Sequence, residues 1–85
     1  MRVVLTKKAE KQLHKLSDTI AKRIVVYLQE ISRLEDPRSR GKALTGNMKS
    51  LWRYRVNDYR IICYIQDEEV LVTVLKIGHR REVYT

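Results

Sequence analysis

The sequence predicts an α+β fold: an N-terminal strand, a two-helix hairpin, then an antiparallel three-stranded meander. Three observations carry this. A short apolar run stands at the start, apolar residues recur with helical spacing between Lys7 and Leu34, and three runs rich in aromatic and β-branched residues fill the second half.

Val3, Val4 and Leu5 suit a strand, and Thr6 is placed to cap a helix that follows. From about Lys7 to Leu16 the apolar positions Ala9, Leu13 and Leu16 recur at spacings of four and three, which turns the intervening lysines toward water. Ser17 and Asp18 offer a second cap. From Thr19 to about Leu34, Ile20, Ile24, Tyr27, Leu28, Ile31 and Leu34 form one apolar stripe, and Glu35-Asp36-Pro37 ends it because proline disfavours helical geometry in the residue before it. Two helices with one-sided stripes need a surface to pack on. Leu51 to Val56, Tyr59 to Gln66 and Val70 to Ile77 supply a sheet, with tight hairpins at Asn57-Asp58 and at Asp67-Glu68-Glu69.

Eighty-five residues leave room for one domain spanning residues 1–85, with one modest core. No run approaches the roughly 18 apolar residues of a membrane span, and no secretory signal stands at the N-terminus, so a cytoplasmic protein without membrane contact is expected. The single cysteine, Cys63, has no partner for a disulfide and no neighbours that complete a metal site; it reads as a small buried strand residue. His14 reads as a surface residue and Tyr27 as core.

Eighteen Lys and Arg against ten Asp and Glu give a net charge of +8, which favours a polyanionic partner. Most of that charge is central. Between Pro37 and Arg60 stand Arg38, Arg40, Lys42, Lys49, Arg53, Arg55 and Arg60 against one acid, Asp58, a net of +6. A two-residue loop at Asn57-Asp58 pairs Val56 with Tyr59 and therefore Arg55 with Arg60, and alternation puts Arg53 on the same face. Trp52, Tyr54, Val56, Tyr59, Ile61 and Cys63 then face the helices, which makes Trp52 a core residue rather than a platform for bases. Like charges directly opposite each other normally destabilise a sheet. At this stage two readings are open, arginines that merely solubilise the sheet and arginines that grip an anion.

The tail adds to the second reading. Gly78-His79-Arg80-Arg81-Glu82-Val83-Tyr84 follows the last strand, and a glycine there permits a bend that would swing His79 and Arg80 toward the arginine face. Arginine forks hold phosphate oxygens and stabilise developing charge, histidine moves protons near neutral pH, and tyrosine stacks or donates a hydrogen bond. There is no Gly-rich phosphate loop, no metal-binding motif, and no Ser or Cys nucleophile with a base beside it. Metal-independent chemistry on RNA fits these parts, because RNA carries its own nucleophile in the 2′-hydroxyl.

Lys42-Ala43-Leu44-Thr45-Gly46, the stretch Leu51-Trp52-Arg53-Tyr54-Arg55-Val56 with Tyr59-Arg60-Ile61-Ile62-Cys63-Tyr64, and the ending Ile77-Gly78-His79-Arg80-Arg81-Glu82-Val83-Tyr84 resemble, in order, the RelE branch of the RelE/ParE toxin superfamily. The resemblance covers the whole chain and is specific in its second half. It implies a RelE/ParE-like fold and a type II toxin. Such a toxin cleaves messenger RNA in the ribosomal A site by attack of a 2′-hydroxyl on the adjacent phosphate, and inhibits translation. It implies phosphate binding and transition-state stabilisation at Arg60 and Arg80, and a terminal tyrosine role at Tyr84. Strand positions that are lysines in the best-known members fall on Arg53 and Arg55. Arginine stays protonated, so Arg53 is suited to stabilising charge and poorly suited to general base catalysis, which turns the proton-transfer role to His79.

The expected catalytic set is therefore Arg53, Arg60, His79, Arg80 and Tyr84, with Lys42, Lys49, Arg55 and Arg81 contacting RNA, and no metal or small-molecule cofactor. The implied partners are the ribosome with its messenger RNA and a RelB-like antitoxin that wraps the toxin. Some members continue into a C-terminal helix where this sequence has Thr85 straight after Tyr84, so Tyr84 is expected to be mobile. Two rivals stand beside the nuclease. One is a ParE-like inhibitor of DNA gyrase, which needs no such arginine and His-Arg-Arg-Glu-Val-Tyr constellation; the other is a basic RNA-binding module without catalysis.

Overall fold

In the computed structural model, which describes residues 1–44 and 51–79, the chain begins with β1 (Arg2–Leu5) and turns directly into α1 (Lys7–His14). The Thr6 hydroxyl accepts a hydrogen bond from the Ala9 N–H, the capping role its position suggests. The helix stops at His14, two residues before the expected Leu16, with Lys15 as its C-cap. Ser17 caps α2 (Asp18–Arg33) in the same way, through Ile20. No described helix is long and apolar enough to cross a membrane.

After α2 the chain forms a strap across the sheet. Asp36 caps a 3₁₀ turn (Pro37–Ser39), accepting from the Arg38 N–H at 2.9 Å. Gly41 then reverses the chain at φ +80°, and a Cβ there would press into the Arg53 carbonyl and lie 2.7 Å from the Trp52 indole nitrogen, so only glycine fits. The strap is tied down by the Trp52 indole, which donates to the Arg40 carbonyl at 2.7 Å, and by the Tyr54 hydroxyl, which donates to the Pro37 carbonyl. Arg40 also pairs with Glu30 at 2.8 Å and lies over the Tyr27 ring. The strap ends in β2 (Lys42–Ala43), a strand that the sequence does not announce.

The three predicted strands are present as β3 (Leu51–Val56), β4 (Tyr59–Gln66) and β5 (Leu71–His79). The sheet order is β1-β5-β4-β3-β2, all antiparallel except that β1 runs parallel to β5. The first two boundaries match the sequence reading. The third does not: Val70 lies in the turn at φ +52°, an uncommon conformation for a β-branched residue, and the strand runs on through Gly78 and His79 instead of bending there.

Both helices pack on one face of the sheet. Ala9, Ile24, Leu28 and Ile31 meet Tyr54, Val56, Ile61, Cys63, Ile65, Val72, Val74 and Ile77 in one buried cluster. Trp52, Tyr27 and Tyr59 lie partly buried against it, and His14 is exposed, as the residue pattern suggests. A break in the β4–β5 register changes which residues of β5 join this face. Cys63 pairs with Val74 but Ile62 pairs with Lys76, leaving Leu75 as the extra residue of a bulge. Helix α1 serves the bulge's backbone. Thr6 Oγ1 donates to the Leu75 carbonyl, and Gln12 Oε1 accepts from the Ile77 N–H at 2.7 Å, where β1 has ended and no further strand among the described residues is there to do so.

Candidate nucleic-acid interface

The face of the sheet turned away from the helices holds the basic residues. The hairpin at Asn57-Asp58 has the predicted two-residue loop, with Asn57 at φ +54°, a region asparagine tolerates. Val56 therefore pairs with Tyr59 and Arg55 with Arg60. Directly opposite residues share a face, so the register can be read as rows across the sheet. The first row is Arg55, Arg60 and Gly78; the second is Lys42, Arg53, Ile62 and Lys76; the third holds Leu51, Tyr64 and Thr73.

Arg53, Arg60 and Lys76 are half-buried, whereas Arg55 and Lys42 are exposed. The Arg60 Nε atom is buried. Its neighbour on β5 is Gly78, which places no side chain beside it and leaves the row open on that side. Ile62 interrupts the charge at the centre. It is buried in a small second cluster with Leu44 and partly buried Leu51, so the cationic groups stand around a firm apolar footing. The arrangement is a fixed set of cations on rigid strands, able to hold several oxygens of one polyanion at once.

Of the nine residues read from the sequence as functional, the structure brings four to this face: Lys42, Arg53, Arg55 and Arg60. Lys49, Arg80, Arg81 and Tyr84 lie outside the described residues, as do Thr45 and Gly46 of the resemblance. His79 lies elsewhere. It pairs with Tyr59, whose face is that of Tyr54 and Ile61, and the two rings meet edge to face with centroids 5.7 Å apart. The expected bend at Gly78 is replaced by continued pairing with β4, which sets the imidazole on the helix side, across the sheet from Arg60.

Sequence reading missed Lys76, and the bulge explains why. Counting alternately from Val72 and Val74 places Lys76 among core positions and His79 beside the arginines; the extra residue at Leu75 reverses both. No arrangement of residue types around Leu75 marks the reversal. One thiol and one hydroxyl on the opposite face of these strands, those of Cys63 and Tyr54, belong to the packing instead. Burial pushes the Cys63 thiol up to about 12 and raises Tyr54 as well, which keeps both neutral under the sheet.

This geometry has relatives. The family model for the ParE toxin of type II toxin-antitoxin system, parDE, matches residues 3–84. Toxin RelG of Mycobacterium tuberculosis is 31% identical over 83 residues, covering 96% of this chain and 93% of that protein. The fold also matches solved structures. The toxin-antitoxin complex RelBE2 from Mycobacterium tuberculosis aligns with a TM-score of 0.82 at 31% identity, over 94% of this chain and 91% of the other. The isolated RelE toxin of E. coli aligns with a TM-score of 0.73 at 26% identity, over 96% and 88%. The archaeal RelE-RelB complex from Pyrococcus horikoshii gives 0.74 at 25% identity, over 95% and 96%.

Proposed function

The chain belongs to the RelE/ParE toxin family of type II toxin-antitoxin systems, and we propose that its cationic sheet face is the working surface of a metal-independent endoribonuclease that cuts messenger RNA in the ribosomal A site. The observation that carries the reading is the direct pairing of Arg55 with Arg60, flanked by Arg53, Lys42 and Lys76. A sheet that sets like charges opposite each other on a rigid face is suited to a polyanion that neutralises them.

The reaction is transfer of one phosphate ester. The 2′-oxygen forms a bond to the adjacent phosphorus, the bond to the 5′-oxygen breaks, and the products are a 2′,3′-cyclic phosphate and a 5′-hydroxyl. The proton leaves the 2′-hydroxyl and one is delivered to the 5′-oxygen. Arg53 and Arg60 grip the phosphoryl oxygens and stabilise the added negative charge, while Lys42, Arg55 and Lys76 hold neighbouring phosphates. Arg80, Tyr84, Lys49 and Arg81 retain the roles their positions in the sequence suggest: Arg80 on the phosphate, Tyr84 at the reacting nucleotide, Lys49 and Arg81 on the RNA backbone. Proton transfer by His79 requires its imidazole to reach round the end of the sheet from the opposite face. Loss of neutral-pH cleavage in His79→Ala supports that role, and retained cleavage removes it.

The protein works in the cytoplasm, where ribosomes are, and a RelB-like antitoxin holds it in check; relatives solved as toxin-antitoxin complexes support this partner. Primer extension on messenger RNA in a purified translation system tests the whole reading. Ribosome-dependent cuts are expected from the wild-type chain, with cleavage reduced about 100- to 1,000-fold in Arg60→Ala. Arg80→Ala is expected to behave likewise. One observation favours a second reading: the matching family model carries the ParE name. Intact RNA throughout, with inhibition of DNA gyrase by the same preparation, establishes that reading instead.

A further inference from the structure

Four large apolar side chains are exposed among the described residues. Val25 and Val26 lie on α2 and Val70 lies in the β4–β5 turn, but Tyr64 stands on the cationic face, 41% exposed. It occupies the row beyond Arg53, Ile62 and Lys76, between Leu51 of β3 and Thr73 of β5. It stands four residue steps along β4 from Arg60, about 13 Å at the usual rise.

We propose that Tyr64 is a stacking platform for a base of the bound RNA, near the nucleotide whose phosphate Arg60 and Arg53 hold. The proposal rests on the reading of this face as an RNA surface, and extends it from phosphates to bases. Lys76 stands one row nearer the arginines and takes an intervening phosphate. Beyond Tyr64 the β4–β5 turn carries Glu68 and Glu69, both exposed, which repel a phosphate chain, while Asp67 beside them is paired with Arg38. The RNA backbone is thus drawn to one end of the face and turned away from the other. A base, which carries no charge and has an apolar surface on each side, is the part of a nucleotide that fits the tyrosine. Its neighbours favour this: Thr73, opposite it on β5, is short, and Leu51, opposite it on β3, belongs to the second apolar cluster, while Tyr64 itself stays 41% exposed. Stacking of this kind tolerates any base, so Tyr64 contributes affinity and placement rather than sequence reading.

The test uses short single-stranded RNAs at low salt, with the fluorescent base 2-aminopurine placed in turn at each position. Wild type and Tyr64→Phe are expected to quench the probe at one position a fixed distance from the phosphate protected by Arg60. Tyr64→Leu keeps an apolar side chain on the strand; it is expected to lose that quench and to bind roughly tenfold more weakly, with the same dependence on salt. In the translation system, Tyr64→Leu is expected to raise KM and spread the cut positions while leaving kcat close to wild type. Equal quenching and affinity in Tyr64→Leu and wild type overturns the proposal even if cleavage is normal. A quench that depends on Tyr64 without any cleavage sustains the stacking site and overturns the nuclease instead. No binding of RNA at low salt overturns both.

Discussion

On the helix-covered face, Tyr54 stands opposite Ile61 and both are fully buried; one residue along, on the other face, Arg55 stands opposite Arg60 and remains exposed. The same two strands thus build a surface that is largely buried and a surface that sets like charges against each other. On the inner face every buried group answers to packing, down to the Tyr54 hydroxyl that ties the strap through Pro37. On the outer face Arg55 and Arg60 stand directly opposite each other, a placing that works against stability. Folding energy and binding energy are therefore separable here by which side of a strand a residue faces.

The largest effect is expected on the inner face. Tyr54→Ala removes a fully buried ring and the hydroxyl that holds the strap, and is expected to destabilise the fold by about 3–5 kcal/mol, read from the urea midpoint. Gln12→Ala sharpens the comparison at the bulge: it leaves the Ile77 N–H without its acceptor and is expected to cost about 1–3 kcal/mol by the same measurement. If that variant is as stable as wild type, the bulge is not held by α1. On the outer face the sign reverses. Arg55→Thr relieves the like-charge pair and is expected to gain a few tenths of a kcal/mol, while weakening RNA binding and reducing its salt slope by about 0.7. A loss of stability in this variant breaks the separation of the two faces. The smallest effect is electrostatic. The Arg38 guanidinium bonds Asp67 at 2.7 Å and holds its carboxyl below the ordinary carboxylate range. Because the folded value is the lower one, this contribution is present at neutral pH and lost as pH falls below about 4, through the folded value. Comparing thermal unfolding of wild type and Asp67→Asn across pH 2 to 7 is expected to show a small difference that closes toward the acid end.

The inner face was the more legible. Helical spacing in Ile20, Ile24, Tyr27, Leu28, Ile31 and Leu34 and alternation through β3 and β4 predict both the α+β architecture and the residues that meet in the core. The Arg55–Arg60 pair follows from loop length alone. What escaped has a physical cause in each case. β2 is two residues long, too short to show a period. The strap depends on Gly41 at a positive φ, which composition cannot distinguish from an ordinary loop glycine. The bulge at Leu75 shifts one strand past another by a single residue, so it exchanges the faces of Lys76 and His79 without altering any propensity. Tyr64 and Lys76 belong to the face only once the register is known.

The parallel pairing of β1 with β5 bears on when this surface comes into being. Among the described residues, residues 2–5 find their strand neighbour in residues 71–74, far along the chain. Until those emerge, α1 and α2 have no completed sheet to cover, and neither Lys76 nor Gly78 flanks the arginines of β4. A ribosome translating this chain therefore carries an unassembled cationic face until residues 71–79 emerge. The finished surface forms only once residues 71–79 have left the exit tunnel and taken their place between β1 and β4.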